Sequence, residues 1–474
     1  MQILDNSLRD QIGETFVSQK QFSEQLRKSE YKERLQILKR FEEVFRTSFD
    51  EMYEAAAKDF CRPKTEVDMT EIMVVLSELA VVRKNLKKWM KPKKVLPTLL
   101  LFGTSSQIIK EPKGVTLIIS PWNYAFNLTF NPMISAIAAG NTVIIKPSEH
   151  SPNMSRVIEK IVSDSFESKH VSIFQGDSSV AEHLTNMPFD HIFFTGSPEI
   201  GKHVMSAAAK NLSSVTLELG GKSPVVIHES ADLKKAADAI VFSKFLNNGQ
   251  TCIAPDYLLV QNSVSDEFLK QIKISITKQF GEDDQMINND DYGRLVTNAH
   301  YGRVNSLLNE SIKDGADVVI GGVTNEADKY ISPTVIRNIK PDSAIMNNEI
   351  FGPLLPIVQF EDINEAISLI NSKPKPLALY LFGSESAVMN NIIKSTSSGD
   401  ACINQCAVHF LHHNLPFGGA NNSGIGKCGG AWGFDAFSHE RSLLKDKFFP
   451  AWLMRPPYTS RVKSIIKWAI RISS

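Results

Sequence analysis

Three short apolar runs constrain the fold more than any other feature: Val115-Thr116-Leu117-Ile118-Ile119, Thr142-Val143-Ile144-Ile145 and His191-Ile192-Phe193-Phe194-Thr195. Each has the length of a strand and is apolar without alternation, the pattern of a strand covered on both faces in a parallel sheet. Helical stretches separate them, Asn131 to Ala139 after the first and an alanine-rich one after the third. Strand–turn–helix series of this kind specify an α/β nucleotide-binding domain. Open α/β sheets bind ligands beyond the carboxyl ends of their strands, so the residues after each run are site candidates. They are Pro121-Trp122-Asn123-Tyr124, Lys146-Pro147-Ser148-Glu149 and Gly196-Ser197-Pro198-Glu199-Ile200-Gly201. The last sets a glycine turn at a helix start, where free N–H groups and the positive dipole end favour an anion such as a pyrophosphate. Its Gly-x4-Gly spacing is not the usual Gly-x-Gly-x-x-Gly, and alone it suits an ordinary helix N-terminus equally well.

At 474 residues the chain exceeds one ordinary core, so two or three domains are expected. Amphipathic helical spacing runs from Phe22 to about Lys58 and from Glu71 to about Met90, while Leu99 to Ile109 reads as an extended, largely apolar arm. Tyr257-Leu258-Leu259-Val260 and Asp317-Val318-Val319-Ile320 alternate with further helical runs, which points to a second α/β domain. Lys and Arg number 52, as do Asp and Glu, so no global charge favours nucleic acid, and small molecules are the expected partners. The N-terminus has acids where a secretory signal needs bases, and no charge-free apolar run is long enough to span a bilayer. Five cysteines in so long a chain form no disulfide framework, and the reducing cytoplasm is the expected location.

Chemistry is most visible in Asn247-Asn248-Gly249-Gln250-Thr251-Cys252-Ile253-Ala254-Pro255, which follows an apolar-periodic helix from Ala236 to Leu246. Cys252 therefore sits on a loop carried by a rigid scaffold, a usual place for a reacting group, and a thiolate is a strong nucleophile. Upstream, Val215-Thr216-Leu217-Glu218-Leu219-Gly220-Gly221-Lys222-Ser223-Pro224 sets a carboxylate in an apolar strand-like run. Such a group suits a general base whose pKa is raised by its surroundings. Taken singly, the cysteine reads better as a structural thiol and the glutamate better as an exposed strand residue.

Glu-Leu-Gly-Gly-Lys-Ser-Pro from Glu218 and Gly-Gln-Thr-Cys-Ile-Ala-Pro-Asp-Tyr from Gly249 together resemble the aldehyde dehydrogenase superfamily, and Cys252 to Tyr257 resembles its class 3 branch. Further ordered motifs agree: Asn348-Glu349-Ile350-Phe351-Gly352-Pro353, Leu415 to Gly426 and Gly433 to His439. The resemblance implies a Rossmann-like domain over 1–95 and 111–218 and a catalytic domain over 219–405. Bridging and oligomerisation segments would occupy 96–110 and 406–452, and an amphipathic tail 453–474. It implies that Cys252 attacks the aldehyde to give a thiohemiacetal, that oxidation leaves a thioester, and that Glu218 activates the hydrolysing water. The side-chain amide of Asn123 and the N–H of Cys252 would form the oxyanion hole.

For the cofactor, the resemblance assigns Lys146 and Glu149 to the adenine ribose, and Gly196, Ser197 and Gly201 to the pyrophosphate turn. Glu349 and Phe351 would hold the nicotinamide ribose and ring, with Trp122, Thr195, Ile200 and Leu219 beside them. A carboxylate at Glu149 bonds a ribose 2′-hydroxyl and repels a 2′-phosphate, so NAD is the expected cofactor and NADP the alternative. The implied reaction oxidises a hydrophobic aldehyde, aliphatic or aromatic, to its acid, and the implied assembly is a homodimer. The chain departs from the family at Ala125, where proline is common, at Asp177, where a second glycine is usual, and at Lys427-Cys428-Gly429-Gly430 near the substrate entrance. Cys402, Cys406 and Cys428 lack the paired spacing of a metal site, and no metal is expected. In the tail, Val462, Ile465, Ile466, Ala469 and Ile472 share one helical face, opposite Lys463, Lys467 and Arg471. That pattern suits a helix docked on protein and also a peripheral membrane contact. Two rivals remain, an acylating relative, which would lack Glu218, and a non-enzymatic protein, which would have no need of these residues together.

Overall fold

The computed structural model describes residues 5–282, 285–451 and 455–473, so positions 453, 454 and 474 of the expected tail, and the Ile472 side chain, lie outside the described residues. Two large sheets dominate. The six-stranded sheet runs in the order Gly424–Ile425, Ser214–Leu219, His191–Gly196, Val115–Ile119, Thr142–Lys146 and Val171–Ile173. All its pairings are parallel except that of Gly424–Ile425. Val115–Ile119 and Thr142–Lys146 are buried at every position, as their apolar runs require once helices cover both faces.

The seven-stranded sheet runs Asp317–Ile320, Thr334–Arg337, Leu354–Phe360, Tyr257–Gln261, Pro224–Ile227, Ala378–Phe382 and Asp400–Ile403. Only Asp317–Ile320 is antiparallel in it. The chain passes from one large sheet to the other through Gly220-Gly221-Lys222-Ser223, one residue beyond Glu218. Lys93–Val95, Thr104–Pro112 and Ser438–Asp446 form a separate antiparallel arm. Of the segment 406–452, Gly424–Ile425 extends the six-stranded sheet, helix Gly430–Ala436 packs on helix Ala125–Ala139, and Ser438–Asp446 alone joins the arm.

Several expectations need correction. The helical spacing read from Phe22 to Lys58 divides into Asn6–Leu26, Tyr31–Thr47 and Phe49–Phe60, and it begins well before Phe22. A capping box at Glu30 and Glu33 starts the second of these, so the break is encoded by polar residues that leave the apolar spacing intact. Leu99–Leu101 is a tight helical turn, and the extended arm starts at Thr104. The helix expected from Asn131 starts at Ala125. Among the described residues, no helix is long and apolar enough to cross a membrane, and no group of three or more His, Cys, Asp or Glu is disposed to hold a metal.

Candidate active site

Helix Leu233–Phe245 ends in a tight turn where Asn247 (φ 49°), Asn248 (φ 57°) and Gly249 (φ 75°) are successively left-handed. Two non-glycine residues in that region cost about 1–3 kcal/mol each and persist only where neighbours enforce them. Gln250, fully buried, supplies one brace: its Nε2 donates to the carbonyls of Asn247 and Arg294, both at 3.0 Å, and its Oε1 accepts the Val296 N–H at 3.0 Å. Asn123 supplies another, its Nδ2 donating to the Gln250 carbonyl at 3.0 Å. The turn delivers Cys252 to the junction of two cavities. Cys252 keeps some surface open there, yet it lies deep enough that burial pushes its thiol up to about 12. The charges of Glu349 and Glu218 add to that rise, and the N–H groups of Cys252 and Ile253 oppose it.

The first cavity, about 140 Å³, has a largely apolar wall that includes Val74, Leu128, Pro132, Phe193, Phe410 and Phe417. The second, about 990 Å³, is a more polar cleft along the carboxyl ends of the six-stranded sheet. Thr195, Glu218, Leu219 and Cys252 line both. Glu218 lies in the strand Ser214–Leu219 with both carboxylate oxygens buried and bonded to no N–H or O–H donor, the Cys428 thiol being the weak donor set against it. Burial pushes its pKa up to about 8, against the neighbouring Cys428 thiol and the Lys427 charge. The glycine at 418 permits this seat, since a Cβ there would lie 2.9 Å from Glu218 Oε1.

Trp122, Asn123, Gly196, Ser197, Glu349 and Phe351 also line the cleft. Trp122 packs edge-on against Phe351, with ring centroids 5.3 Å apart. Ser197 caps helix Pro198–Asn211, its Oγ accepting the Ile200 N–H at 3.3 Å. Glu349 is pushed up to about 8 by burial and by Asp256, opposed by the Gly221 N–H, Lys222 and Arg303. Its carboxylate lies on Gly220, where a Cβ would sit 2.1 Å from Oε2, so that close approach requires glycine. Four sequence candidates stand outside the cleft wall: Lys146, Glu149, Ile200 and Gly201. Lys146 ends the strand Thr142–Lys146 and pairs with Glu149 at 2.5 Å. Ile200 is exposed, and Gly201 is buried in the same helix, where a Cβ would meet Leu219 at 2.7 Å.

With this geometry in place, the likeness to known proteins is informative. The aldehyde dehydrogenase family model matches residues 7–443. The chain belongs to the aldehyde dehydrogenase family. It is 41% identical to the 4,4′-diaponeurosporen-aldehyde dehydrogenase of Staphylococcus aureus (strain NCTC 8325 / PS 47), over 96% of this chain and 98% of that protein. Against aldehyde dehydrogenase family 3 member A2 of Pongo abelii it is 40% identical, over 87% of this chain and 83% of that one. The solved substrate-bound state of Staphylococcus aureus AldH superposes with a TM-score of 0.93 at 40% identity, covering 96% of this chain and 99% of that chain. As an aldehyde dehydrogenase, the protein is an oxidoreductase acting on aldehydes.

Sequence reasoning missed the residues that hold this aldehyde dehydrogenase site together. Lys222 Nζ pairs with Asp256 and donates to the carbonyls of Ile345 (2.7 Å) and Asn348 (3.0 Å). Asp256 Oδ2 accepts the Ile350 N–H at 2.9 Å, and Arg303 donates to the carbonyls of Glu349 (3.2 Å) and Ile350 (2.7 Å). These three charged residues fix the turn that presents Glu349 and Phe351. Lys222 and Asp256 stand inside the quoted motifs, and their charge in apolar surroundings was the available signal.

Proposed function

We propose that the chain oxidises a hydrophobic aldehyde, medium- or long-chain aliphatic or aromatic, to the carboxylic acid with NAD(P) as acceptor. The observation behind this reading is that Cys252 and Glu218 sit where an apolar pocket opens into a polar, dinucleotide-sized cleft. The cleft's residues fit a dinucleotide: a capped helix N-terminus at Ser197 for the pyrophosphate, and a buried carboxylate at Glu349 reached over bare glycine for a ribose. When bound, the cofactor accepts the two electrons and the hydrogen that the aldehyde carbon loses. We assign NAD on the carboxylate at Glu149, which bonds a ribose hydroxyl and repels a 2′-phosphate, with NADP as the alternative.

The apolar wall positions the aldehyde against Cys252, whose thiol gives its proton to water in the cleft as the sulfur bonds to the carbonyl carbon and the C=O π bond opens. Negative charge then develops on the former carbonyl oxygen. The Cys252 N–H and the Asn123 amide, already oriented by Gln250, donate to it. After oxidation the acyl group is held as a thioester on Cys252. Glu218 takes a proton from water as the water attacks this thioester, the C–S bond breaks, and the acid leaves with the thiol restored. A buried carboxylate held by no N–H or O–H donor, and only weakly by the Cys428 thiol, is suited to this, because little hydrogen bonding has to be given up before it accepts the proton.

The same reading covers the rest of the chain. The six-stranded sheet is the cofactor domain, the seven-stranded sheet the catalytic domain, and the arm the oligomerisation element of a cytoplasmic homodimer. Helix Ser460–Ser473 docks through buried Val462, while exposed Ile466, Trp468 and Ile470 beside Lys463 and Lys467 form the flank for any peripheral membrane contact. The deciding experiment is NADH formation by the purified protein over short, long-chain and aromatic aldehydes, with Cys252→Ala as control. Turnover on apolar aldehydes that vanishes in the variant is expected. Cofactor binding without turnover on any aldehyde would overturn the reading.

A further inference from the structure

The guanidinium of Arg62 lies behind the site and takes no part in the reaction proposed above. Its side chain and that of Glu71 are wholly buried, with Nη1 donating to Glu71 Oε1 at 2.7 Å. Nε and Nη2 both donate to Asn247 Oδ1, at 3.1 and 2.6 Å, and Nη2 also donates to the backbone carbonyl of Asn123. Asn247 relays the hold. Its Nδ2 donates to that same Asn123 carbonyl at 2.9 Å and to the Gln250 carbonyl at 3.2 Å. The Gln250 carbonyl is also the acceptor for the Asn123 side chain. Glu71 extends the frame in the other direction, Oε2 accepting the Asn127 N–H at 2.8 Å near the start of helix Ala125–Ala139. A single cation thus ties the loop approaching Cys252 to the residue after Trp122.

Buried ion pairs contribute little net stability, and apolar groups of equal volume often serve as well. What a fully engaged, planar guanidinium supplies is fixed geometry between its acceptors. Here those acceptors belong to the two sides of the reaction centre. We propose that Arg62, held by Glu71 and acting through Asn247, is a positioning residue that sets the Asn123 amide and the Cys252 sulfur in their reactive relation. The inference rests on the roles assigned above to Asn123 and Cys252. Arg62, Glu71 and Asn247 line neither cavity, so their effect falls on the chemical steps and leaves binding alone.

Two variants of the full chain test this. Arg62→Met combined with Glu71→Gln replaces the pair by neutral groups, and the buried Glu66 carboxyl, whose charge Arg62 also favours, is left to take up a proton. Asn247→Gly keeps the ion pair and tolerates the left-handed backbone but removes the relay. Both are expected to lower kcat on the order of 100-fold, the scale of a small misplacement of reacting groups, with unchanged KM for the aldehyde and unchanged Kd for NADH by fluorescence. Arg62→Lys, which keeps the charge but not the fork, is expected to leave kcat low. Wild-type kcat in either folded variant overturns the proposal, as does a loss of NADH affinity in step with kcat, the sign of a merely structural role. Should the double variant fail to fold, Asn247→Gly decides alone. Turnover persisting in Cys252→Ala would instead remove the roles on which the inference rests, so the two failures are separable.

Discussion

Glu218 presents two buried oxygens between the cavities, beside the Cys428 thiol, and burial raises its pKa to about 8. A carboxylate with a raised pKa is protonated, and useless as a base, at pH values below it. The rate of thioester hydrolysis should therefore rise with pH through about 8 and level off above. Glu218→Gln should remove that limb, form the acyl-enzyme, release one equivalent of NADH and then turn over slower by roughly 10²–10⁴-fold, the usual contribution of a general base. Rapid-mixing kinetics across pH 6–10 would read both effects. Glu349 is raised, and the buried Lys244 lowered, to the same value, so a limb that survives in the glutamine variant belongs to one of these two, and full steady-state turnover there would take the base's role from Glu218. The thiol of Cys252, pushed up to about 12, titrates well above this window. At this scale the sequence was legible where a motif puts polar groups into an apolar run, as at Glu218 and Cys252. It was silent at Arg62, whose partners Asn123 and Asn247 are distant in the chain and meet it only after folding.

Two elements meet at Gly249. Its φ of 75° is left-handed, and a Cβ there would stand 2.3 Å from the Gly352 carbonyl and 3.1 Å from that of Lys244. The Cys252 turn therefore abuts the turn carrying Glu349 and Phe351, and the latter is itself left-handed at φ 45°. Gly249→Ala adds about 1–2 kcal/mol of backbone strain and forces the two turns apart. A lower melting temperature by calorimetry, together with reduced kcat and weaker cofactor binding, is expected. Unchanged values would mean that the turns part freely and that their contact is incidental. Elements were legible in proportion to how far burial dictated their residues. Val115–Ile119 and Thr142–Lys146 declare themselves because both faces must be apolar. Val171–Ile173, only three residues long, carries too little pattern to separate it from a loop. Helix Asn6–Leu26 escaped because it buries only Ile12, Phe16, Gln19 and Leu26, a stripe too thin to show against its polar surroundings.

Among the described residues, Ser438–Asp446, bonded only to Thr104–Pro112, and Asp400–Ile403, bonded only to Ala378–Phe382, are edge strands of their sheets. Open edges beside apolar side chains invite pairing with another chain, and the arm exposes Leu96 (91%), Phe102 (64%), Leu444 (50%) and Phe448 (66%). The whole sequence has zero formal charge, so no net repulsion between copies opposes the contact. A closed two-fold dimer covers the same patch on both subunits at once, and this geometry underlies the homodimer we propose. Leu96→Asp with Leu444→Asp places a carboxylate at two exposed positions of the arm, where it costs the isolated subunit little. Burying even a neutral polar group without a hydrogen bond costs roughly 2–7 kcal/mol, and an unpaired carboxylate more, enough to shift a micromolar or weaker dimer to monomer at assay concentrations. Light scattering should give twice the 52.8 kDa chain mass for the native protein and the single mass for the variant. A native mass of one chain refutes the homodimer, and a dimeric variant places the interface away from the arm.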